Sequence, residues 1–184
     1  MAAARRAFER ERYPEAKRVL VQVVERAPTA VSARELLGMT LYRLGKWREA
    51  AVQLEAFREL TGSADQNPML ADCYRAMRRY TEADELWDEL KAASPSAEVM
   101  AEGRIVKAGS LADRGQLREA ISLIEKALRP TKVVHDYHVR QWYALGDLYD
   151  RAGDAPRARA LFERVRVTAG TDFGDVGARL RALG

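Results

Sequence analysis

The sequence predicts an all-α fold: an α-solenoid of about five helix-turn-helix repeats that ends in a short C-terminal capping helix. The first observation behind this prediction is that small and large apolar residues recur with a period of about 34 residues, as in stacked helical repeats. The second is composition: the 184 residues include only 6 prolines and 12 glycines, and 47% are hydrophobic. So few helix-breaking residues favour helices over loops, and this apolar content is that of a folded globular chain.

The second helix of each repeat is predicted from an alanine that is followed at fixed distances by apolar residues. The anchor alanines are Ala16, Ala50, Ala83, Ala120 and Ala158. Four residues later stand Leu20, Leu54, Trp87, Ile124 and Phe162, and seven residues later Val23, Phe57, Leu90, Ala127 and Val165. Steps of four and then three residues place side chains on one face of an α-helix. Each repeat therefore has a second helix with one apolar face.

The first helix of each repeat carries a small residue that lies 12 positions before the anchor alanine. These residues are Ala4, Gly38, Ala71, Ala108 and Gly146, and three positions after them come Ala7, Leu41, Tyr74, Leu111 and Tyr149. Two facing small residues let helix axes approach to about 8–10 Å while larger residues interlock around them. In three repeats the turn between the helices holds Gly45, Gly115 or Gly153, and glycine supplies the left-handed backbone that ends a helix. The pattern predicts five helical hairpins.

The best-preserved copy of the pattern is Trp142-x-x-Leu145-Gly146-x-x-Tyr149, followed by Ala158 and Phe162. This copy resembles the tetratricopeptide repeat family, and weaker copies cover nearly the whole chain. The resemblance implies a right-handed solenoid that forms a single domain over residues 1–184. The implied repeats are 1–30, 31–63, 64–97, 98–131 and 132–170, with the capping helix at 171–183.

The positions of helix-capping residues agree with these repeats. Helices are predicted near residues 2–12, 15–26, 30–44, 47–60, 68–79, 82–93, 96–114, 117–128, 133–152 and 155–168. Four of their starts are indicated by residues that cap helix N-termini. These are Asn67 before Pro68, Thr81 with Asp84, Ser94 before Pro95, and Asp154. The apolar face of the capping helix is predicted from Phe173, Val176, Leu180 and Leu183.

The last two repeats are three or four residues longer than the others, and the extra residues precede Ala108 and Gly146. If these residues are helical, they add one turn, or about 5.4 Å, to the first helix of each repeat. We therefore expect longer first helices in the fourth and fifth repeats. The alternative is a longer loop between repeats.

Composition and charge limit the classes of function. The net charge is +4, but residues 65–103 carry nine acidic and four basic residues, so no continuous basic face for nucleic acid is expected. No apolar run approaches the roughly 20 residues that cross a bilayer, and no membrane association is predicted. One cysteine, Cys73, excludes an internal disulfide and favours a reducing, cytoplasmic location. The abundance of arginine and alanine is typical of a bacterial protein.

Catalytic chemistry is not predicted, because the sequence holds no phosphate-binding loop, nucleophile motif or pair of catalytic carboxylates. The two histidines, His135 and His138, are one helical turn apart with Asp136 between them. A zinc site usually needs three or four protein ligands, so a metal site there is a hypothesis that requires a further ligand from elsewhere. We predict no catalytic residue, no cofactor and no metal.

The family resemblance implies that the first helices line a concave groove that binds a peptide or protein partner. The implied groove residues are Glu35, Met39, Tyr42, Arg43, Asp72, Arg75, Ile105, Arg140, Tyr143, Asp147 and Asp150. Some family members clamp a terminal carboxylate with lysine and asparagine at these positions, and this chain has neither there. Its aromatic, methionine and charged residues suit an amphipathic peptide instead. The fifth repeat is expected to be the most selective.

The predicted function is a non-catalytic scaffold or adaptor. The alternative is a nucleic-acid-associated repeat protein that uses basic patches, and its candidate residues are Arg5, Arg6, Arg10, Arg12, Arg104 and Lys107. Such binding would weaken steeply with salt. Self-association through the exposed ends of the stack is a further expectation.

Overall fold

The computed structural model describes residues 1–184, and its regular secondary structure consists only of helices. The eleven helices are α1 (Ala2–Glu9), α2 (Tyr13–Arg26), α3 (Val31–Arg43), α4 (Trp47–Thr61), α5 (Asn67–Ala76), α6 (Tyr80–Ala93), α7 (Ala97–Asp113), α8 (Leu117–Glu125), α9 (Asp136–Arg151), α10 (Ala155–Ala169) and α11 (Val176–Ala182). None of them combines the length and the apolar character that crossing a membrane requires. The predicted all-helical fold is confirmed.

The helices belong to two compact units, an N-terminal unit (Met1–Pro95) and a C-terminal unit (Ser96–Gly184). Within the N-terminal unit, α1 packs on α2, α3 on α4 and α5 on α6. Within the C-terminal unit, α7 packs on α8, α9 on α10, and α11 on α10. The grouping of residues 1–184 into a single domain remains a prediction, as do the boundaries of its repeats.

Small residues lie where the two helices of each hairpin cross. The anchor alanines are at most 4% exposed. Gly38 and Gly146, on the facing first helices, are buried. A methyl group added to Gly38 would lie 2.6 Å from Leu54 Cδ2, and one added to Gly146 would lie 3.0 Å from Phe162 Cε1. The absence of a side chain at these two positions therefore sets the distance between the helices.

The core of the C-terminal unit is built around the large residue that faces this crossing point. Phe162 and Val165 from α10 are fully buried, and Trp142 and Leu145 from α9 are nearly so. They form one cluster with Ile124 and other residues of α7, α8 and α11. Complete burial of a side chain of this size contributes about 1.5–3 kcal/mol to stability. The apolar residues at predicted repeat positions thus supply much of this core.

All five hairpins turn through one residue with a left-handed backbone. The turn residues are Glu11, Gly45, Arg78, Gly115 and Gly153, with φ between 57° and 81°. In every turn the next residue donates its backbone N–H to a carbonyl oxygen five residues earlier, at 2.8–2.9 Å, as Lys46 does to Leu41. The sequence indicated only the three glycines. Because Glu11 and Arg78 turn the chain in the same way, α1 and α5 end earlier than predicted.

Three of the four predicted N-terminal caps were wrong. Asn67 is a buried residue inside α5 and donates through Nδ2 to the Leu86 carbonyl oxygen at 3.5 Å. Thr81 lies inside α6, which begins at Tyr80. Ser96, two residues after the predicted cap, accepts a hydrogen bond from the Val99 N–H at the start of α7. The cap at Asp154 is confirmed, since its side chain accepts from the Arg157 N–H at 3.1 Å.

The first helices of the last two repeats are longer, as expected. Helix α7 has 17 residues and α9 has 16, whereas α3 has 13 and α5 has 10. The fifth repeat also follows the alternative, because α8 ends at Glu125 and residues 126–135 form no regular helix. In the fourth repeat the added residues are helical.

The C-terminal helix is shorter than the predicted range 171–183. Residues 170–175 are not helical, and Gly174 has a φ of +58° that ends any continuous helix before Val176. Val176 is fully buried in the core cluster, with Phe173, Leu180 and Leu183 packed partly buried against it. All four residues predicted for the apolar face contact the core, although the first precedes the helix.

Gly146→Ala should lower the free energy of unfolding by about 1–3 kcal/mol, because the added methyl overpacks a buried site. The methyl would lie within 3.0–3.2 Å of three ring atoms of Phe162, whose side chain is fully buried. Gly177→Ala is the matched control, since its nearest neighbour would be 3.5 Å away and alanine favours the helix. Urea denaturation followed by circular dichroism gives both values. Equal stability of Gly146→Ala and the unmodified chain would contradict the crossing-point account.

Arg78→Gly should raise the free energy of unfolding by about 0.5–1 kcal/mol. The left-handed backbone at Arg78, with φ of 59°, is costly for any residue with a Cβ atom, and glycine removes that cost. The gain is smaller than the full strain because glycine also makes the unfolded chain more flexible. Arg78→Ala retains the Cβ atom and should give no gain. If the alanine and glycine variants are equally stable, backbone strain is not the cause.

Candidate protein-interaction surface

Six of the predicted groove residues lie on the two longer first helices of the N-terminal unit. Helix α3 carries Glu35, Met39, Tyr42 and Arg43, and α5 carries Asp72 and Arg75. These two helices contact each other directly. The six residues therefore form a surface that we call the α3–α5 face.

A carboxylate connects the two helices of the α3–α5 face. The Tyr42 hydroxyl donates to Asp72 Oδ2 at 2.6 Å, and Arg75 Nε donates to Asp72 Oδ1 at 2.8 Å. Burial raises the pKa of Tyr42, and the neighbouring Asp72 carboxylate raises it further. The Tyr42 ring also packs edge-on against Trp47, with centroids 5.2 Å apart. Both oxygens of Asp72 are thus held in a fixed orientation by neutral and cationic donors.

The other members of the α3–α5 face are less constrained. Glu35 Oε1 accepts from Gln66 Nε2 at 2.9 Å, a second link toward the start of α5. Met39 is half-buried, and Arg43 is exposed without an ion pair. Because Met39 and Arg43 are four residues apart, they share one side of α3. An apolar thioether and an unpaired guanidinium are therefore available on this face.

The remaining five predicted residues lie in the C-terminal unit. Ile105 is half-buried on α7, and Arg140, Tyr143, Asp147 and Asp150 are on α9. Arg140 reaches across to α7, where its Nε lies 2.5 Å from Glu102 Oε1 and its Nη2 lies 2.9 Å from Glu98 Oε1. Arg140 therefore fixes α9 to α7.

Helix α11 contacts three of the predicted residues on α9. Arg179 donates to Asp147 Oδ1 at 2.6 Å and to Asp150 Oδ2 at 3.0 Å. The Tyr143 hydroxyl donates to Asp175, just before α11, and this bond together with burial raises the pKa of Tyr143. The sequence placed all three residues in an open groove, and it contained no signal for a contact with Arg179 some 30 residues later. Part of the predicted surface is occupied by the chain's own C-terminus.

Two further contacts, which sequence analysis missed, join a repeat to the one before it. The Tyr74 hydroxyl donates to Glu55 Oε1, and the Tyr149 hydroxyl donates to Glu125 Oε1. Both glutamates stand five residues after an anchor alanine, so their shared position was a usable signal. An arginine covers each ring, Arg79 at 4.4 Å and Arg157 at 5.2 Å from the centroid. Each of these polar contacts joins the second helix of one repeat to the first helix of the next.

The two histidines form a hydrogen bond at the start of α9. His138 Nδ1 accepts from the His135 backbone N–H at 3.0 Å, and burial together with the neighbouring His135 lowers the pKa of His138. No three histidine, cysteine or carboxylate side chains come together in a group that could hold a metal ion. Cys73 is fully buried, and burial raises the pKa of its thiol to about 12. The thiol is therefore protonated and inaccessible at neutral pH.

The paired helices and the turns that the five hairpins share define a helical-repeat protein. The tetratricopeptide repeat model matches residues 1–68 and 105–172, which is more than half of the chain. The chain belongs to the tetratricopeptide repeat family. No curated protein sequence matches it.

Solved structures of the family have the same fold. A thermophilic tetratricopeptide repeat protein of Thermus thermophilus is 18% identical, with a TM-score of 0.76 over 98% of this chain and 94% of that one. A repeat protein of Parabacteroides merdae is 17% identical, with a TM-score of 0.77 over 98% of this chain and 68% of that one. Human IFIT1, solved with m7Gppp-AAAA, is 16% identical, with a TM-score of 0.70 over 93% of this chain and 42% of that one. At these identities the likeness establishes the fold alone.

Tyr42→Phe should lower the free energy of unfolding by about 1.5 kcal/mol, because it removes a hydrogen bond to a carboxylate. Tyr13→Phe is the control, since the Tyr13 ring packs on Phe8 and its hydroxyl makes no hydrogen bond. Because the pKa of Tyr42 lies above the usual 10.0, the stabilisation is complete below pH 10 and is lost as the pH rises further. Urea denaturation at pH 7 and pH 11 measures both effects. A Tyr42→Phe variant as stable as Tyr13→Phe would show that the Asp72 link contributes nothing.

Proposed function

We propose that this chain is a non-catalytic adaptor that binds a protein or peptide partner on the first-helix side of its repeats. The observation that carries the proposal is the α3–α5 face, where Tyr42, Asp72 and Arg75 are held in place while Met39 and Arg43 remain available. A surface whose polar groups are already ordered loses less conformational entropy on binding. Tyrosine, methionine and arginine are also enriched at protein interfaces.

The available groups on this face define the chemistry of the partner. Arg43 is an exposed cation without an ion pair, and it attracts a carboxylate. Met39, one helical turn earlier, is a flexible apolar group that adapts to an irregular side chain. The partner that fits is a peptide that presents an apolar residue beside an aspartate or glutamate. This peptide would extend over α3 and α5. Because these two helices are in contact, the residues of the α3–α5 face on one helix lie beside those on the other.

A catalytic function is not proposed, because no reactive side chains converge. Cys73 is buried with a high pKa, and the histidines cap and stack at the start of α9. The family match indicates no catalytic family. A cytoplasmic location remains a prediction from cysteine usage alone. Self-association through the exposed ends of the stack also remains a prediction.

The test selects peptides from a displayed random library on the full chain and measures their affinity by titration calorimetry. Arg43→Glu combined with Met39→Ala should weaken the selected peptides at least tenfold, since it removes both available groups. Arg48→Glu is the matched control, because Arg48 is an equally exposed, unpaired arginine on the second helix α4. The selected peptides should bind the Arg48→Glu variant with unchanged affinity. Equal affinities of the two variants would show that the α3–α5 face is not the binding surface.

The structure gives little support to the alternative that the candidate basic residues bind nucleic acid. Arg12 is paired with Glu15 at 3.2 Å, and Arg104 is half-buried, so that burial lowers the pKa of its guanidinium. Retention of the full chain on RNA or DNA should be weak and should change little between low and moderate salt. Tight retention with a steep salt dependence, lost when Arg5, Arg6 and Arg10 are changed to glutamate, would favour this alternative.

A further inference from the structure

In the C-terminal unit α11 packs on α10 and also contacts polar side chains of α9, the first helix of the last repeat. Val176 from α11 is fully buried against the core cluster, and Leu180 and Leu183 pack partly buried beside it. Just before the helix, the Phe173 ring lies edge-on to Tyr143, with centroids 5.9 Å apart, and Tyr143 packs in the same way on Phe162 at 5.6 Å. The apolar part of the contact thus consists of residues spaced along one side of a short helix.

The polar part of the contact is one arginine against three carboxylates. Arg179 contacts Asp147 and Asp150 on α9, and Asp175 at 3.2 Å at the start of its own helix. A hydrogen bond from the Tyr143 hydroxyl, together with the charge of Arg179, lowers the pKa of Asp175. The side chains of Arg179, Asp147 and Asp150 are all about one-third exposed, with relative exposures of 31%, 28% and 32%. Because these ion pairs are partly exposed, solvent screens them and they contribute little to stability.

Several features make α11 the most easily released helix of the unit. It has seven residues, well below the roughly 12–15 that give an isolated helix marginal stability. Gly177 lies inside it and lowers its helix propensity further. The preceding residues 170–175 form no regular helix, and only Val176 of the helix is completely buried. Elements with few buried contacts open at the lowest free energy.

We propose that α11 is a resident occupant of the α9 surface and that partners of the C-terminal unit are amphipathic helices that displace it. The surface left behind would carry two unpaired aspartates beside Tyr143 and Phe162. The partner therefore presents the pattern of α11 itself, an arginine among apolar residues at the spacing of Val176, Arg179, Leu180 and Leu183. This inference rests on the proposed function, because it assumes that the first-helix side binds partners. A longer helix with this pattern outcompetes the short resident one.

The test uses the full chain and a fluorescent peptide with the sequence of residues 171–184, followed by fluorescence anisotropy. Arg179→Ala in the chain weakens the resident helix but leaves the α9 surface intact, so the peptide should bind about tenfold more tightly than to the unmodified chain. Arg181→Ala is the matched control, because this exposed arginine of α11 forms no ion pair. It should leave the peptide affinity unchanged. Equal affinities for the two variants would overturn the proposal.

Two further measurements identify the surface. Asp147→Asn with Asp150→Asn, added to Arg179→Ala, should abolish the gain in affinity. A peptide in which Arg179 is replaced by glutamate should fail to bind any of these chains, and this arm leaves the folding of the protein untouched. Peptide binding that tolerates both changes would contradict the proposal. Met39→Ala with Arg43→Glu should not affect binding of the peptide in place of α11. The two proposals can therefore fail separately: the α3–α5 face can prove not to bind partners while α11 is still displaced, and the reverse.

Discussion

In the second and fifth hairpins a glycine on the first helix lies directly against a large side chain of the second helix, and the spacing of the two helices depends on that contact. Leu54 and Phe162 occupy the space that a side chain at Gly38 or Gly146 would need. Because the large residue fits against bare backbone, the two helix axes approach closely and the neighbouring apolar residues interlock around them. The left-handed turn that follows has the same backbone hydrogen bond in all five hairpins. One steric condition, repeated, thus gives the fold its regularity.

The close crossing also decides which residues are free for function. Apolar residues at the crossing face the partner helix, whereas predicted groove residues such as Tyr42, Asp72 and Asp147 are only partly buried. On the α3–α5 face these residues hold one another, with Asp72 fixed between Tyr42 and Arg75. On α9 the equivalent residues hold α11. The two units therefore present different surfaces: one is ordered with available groups, and the other is covered by a short helix that carries its own arginine.

Local patterns were enough to predict the helices, the anchor alanines and their partners, since each depends on residues within one hairpin. The left-handed turns at Glu11 and Arg78 were not predictable, because the usual sequence signal for this conformation is glycine and these two positions hold other residues. The sequence predicts Asn67 as a helix cap, whereas its role as a buried donor depends on where α6 lies and has no local signal. The contacts of Arg179 join residues about 30 positions apart, and no local pattern encodes them. The role of all the predicted groove residues in binding remains a prediction from family resemblance.

A double-mutant cycle measures whether steric contact at the crossing point sets the distance between the two helices. Gly38→Ala and Leu54→Ala are made singly and together, and the free energy of unfolding is measured by urea denaturation. In the unmodified chain Gly38→Ala should cost about 1–3 kcal/mol, because the methyl would lie 2.6 Å from Leu54 Cδ2. In the Leu54→Ala background the same change should cost nothing or should stabilise the helix, since the obstructing atoms are gone. An equal cost of Gly38→Ala in both backgrounds would contradict the claim.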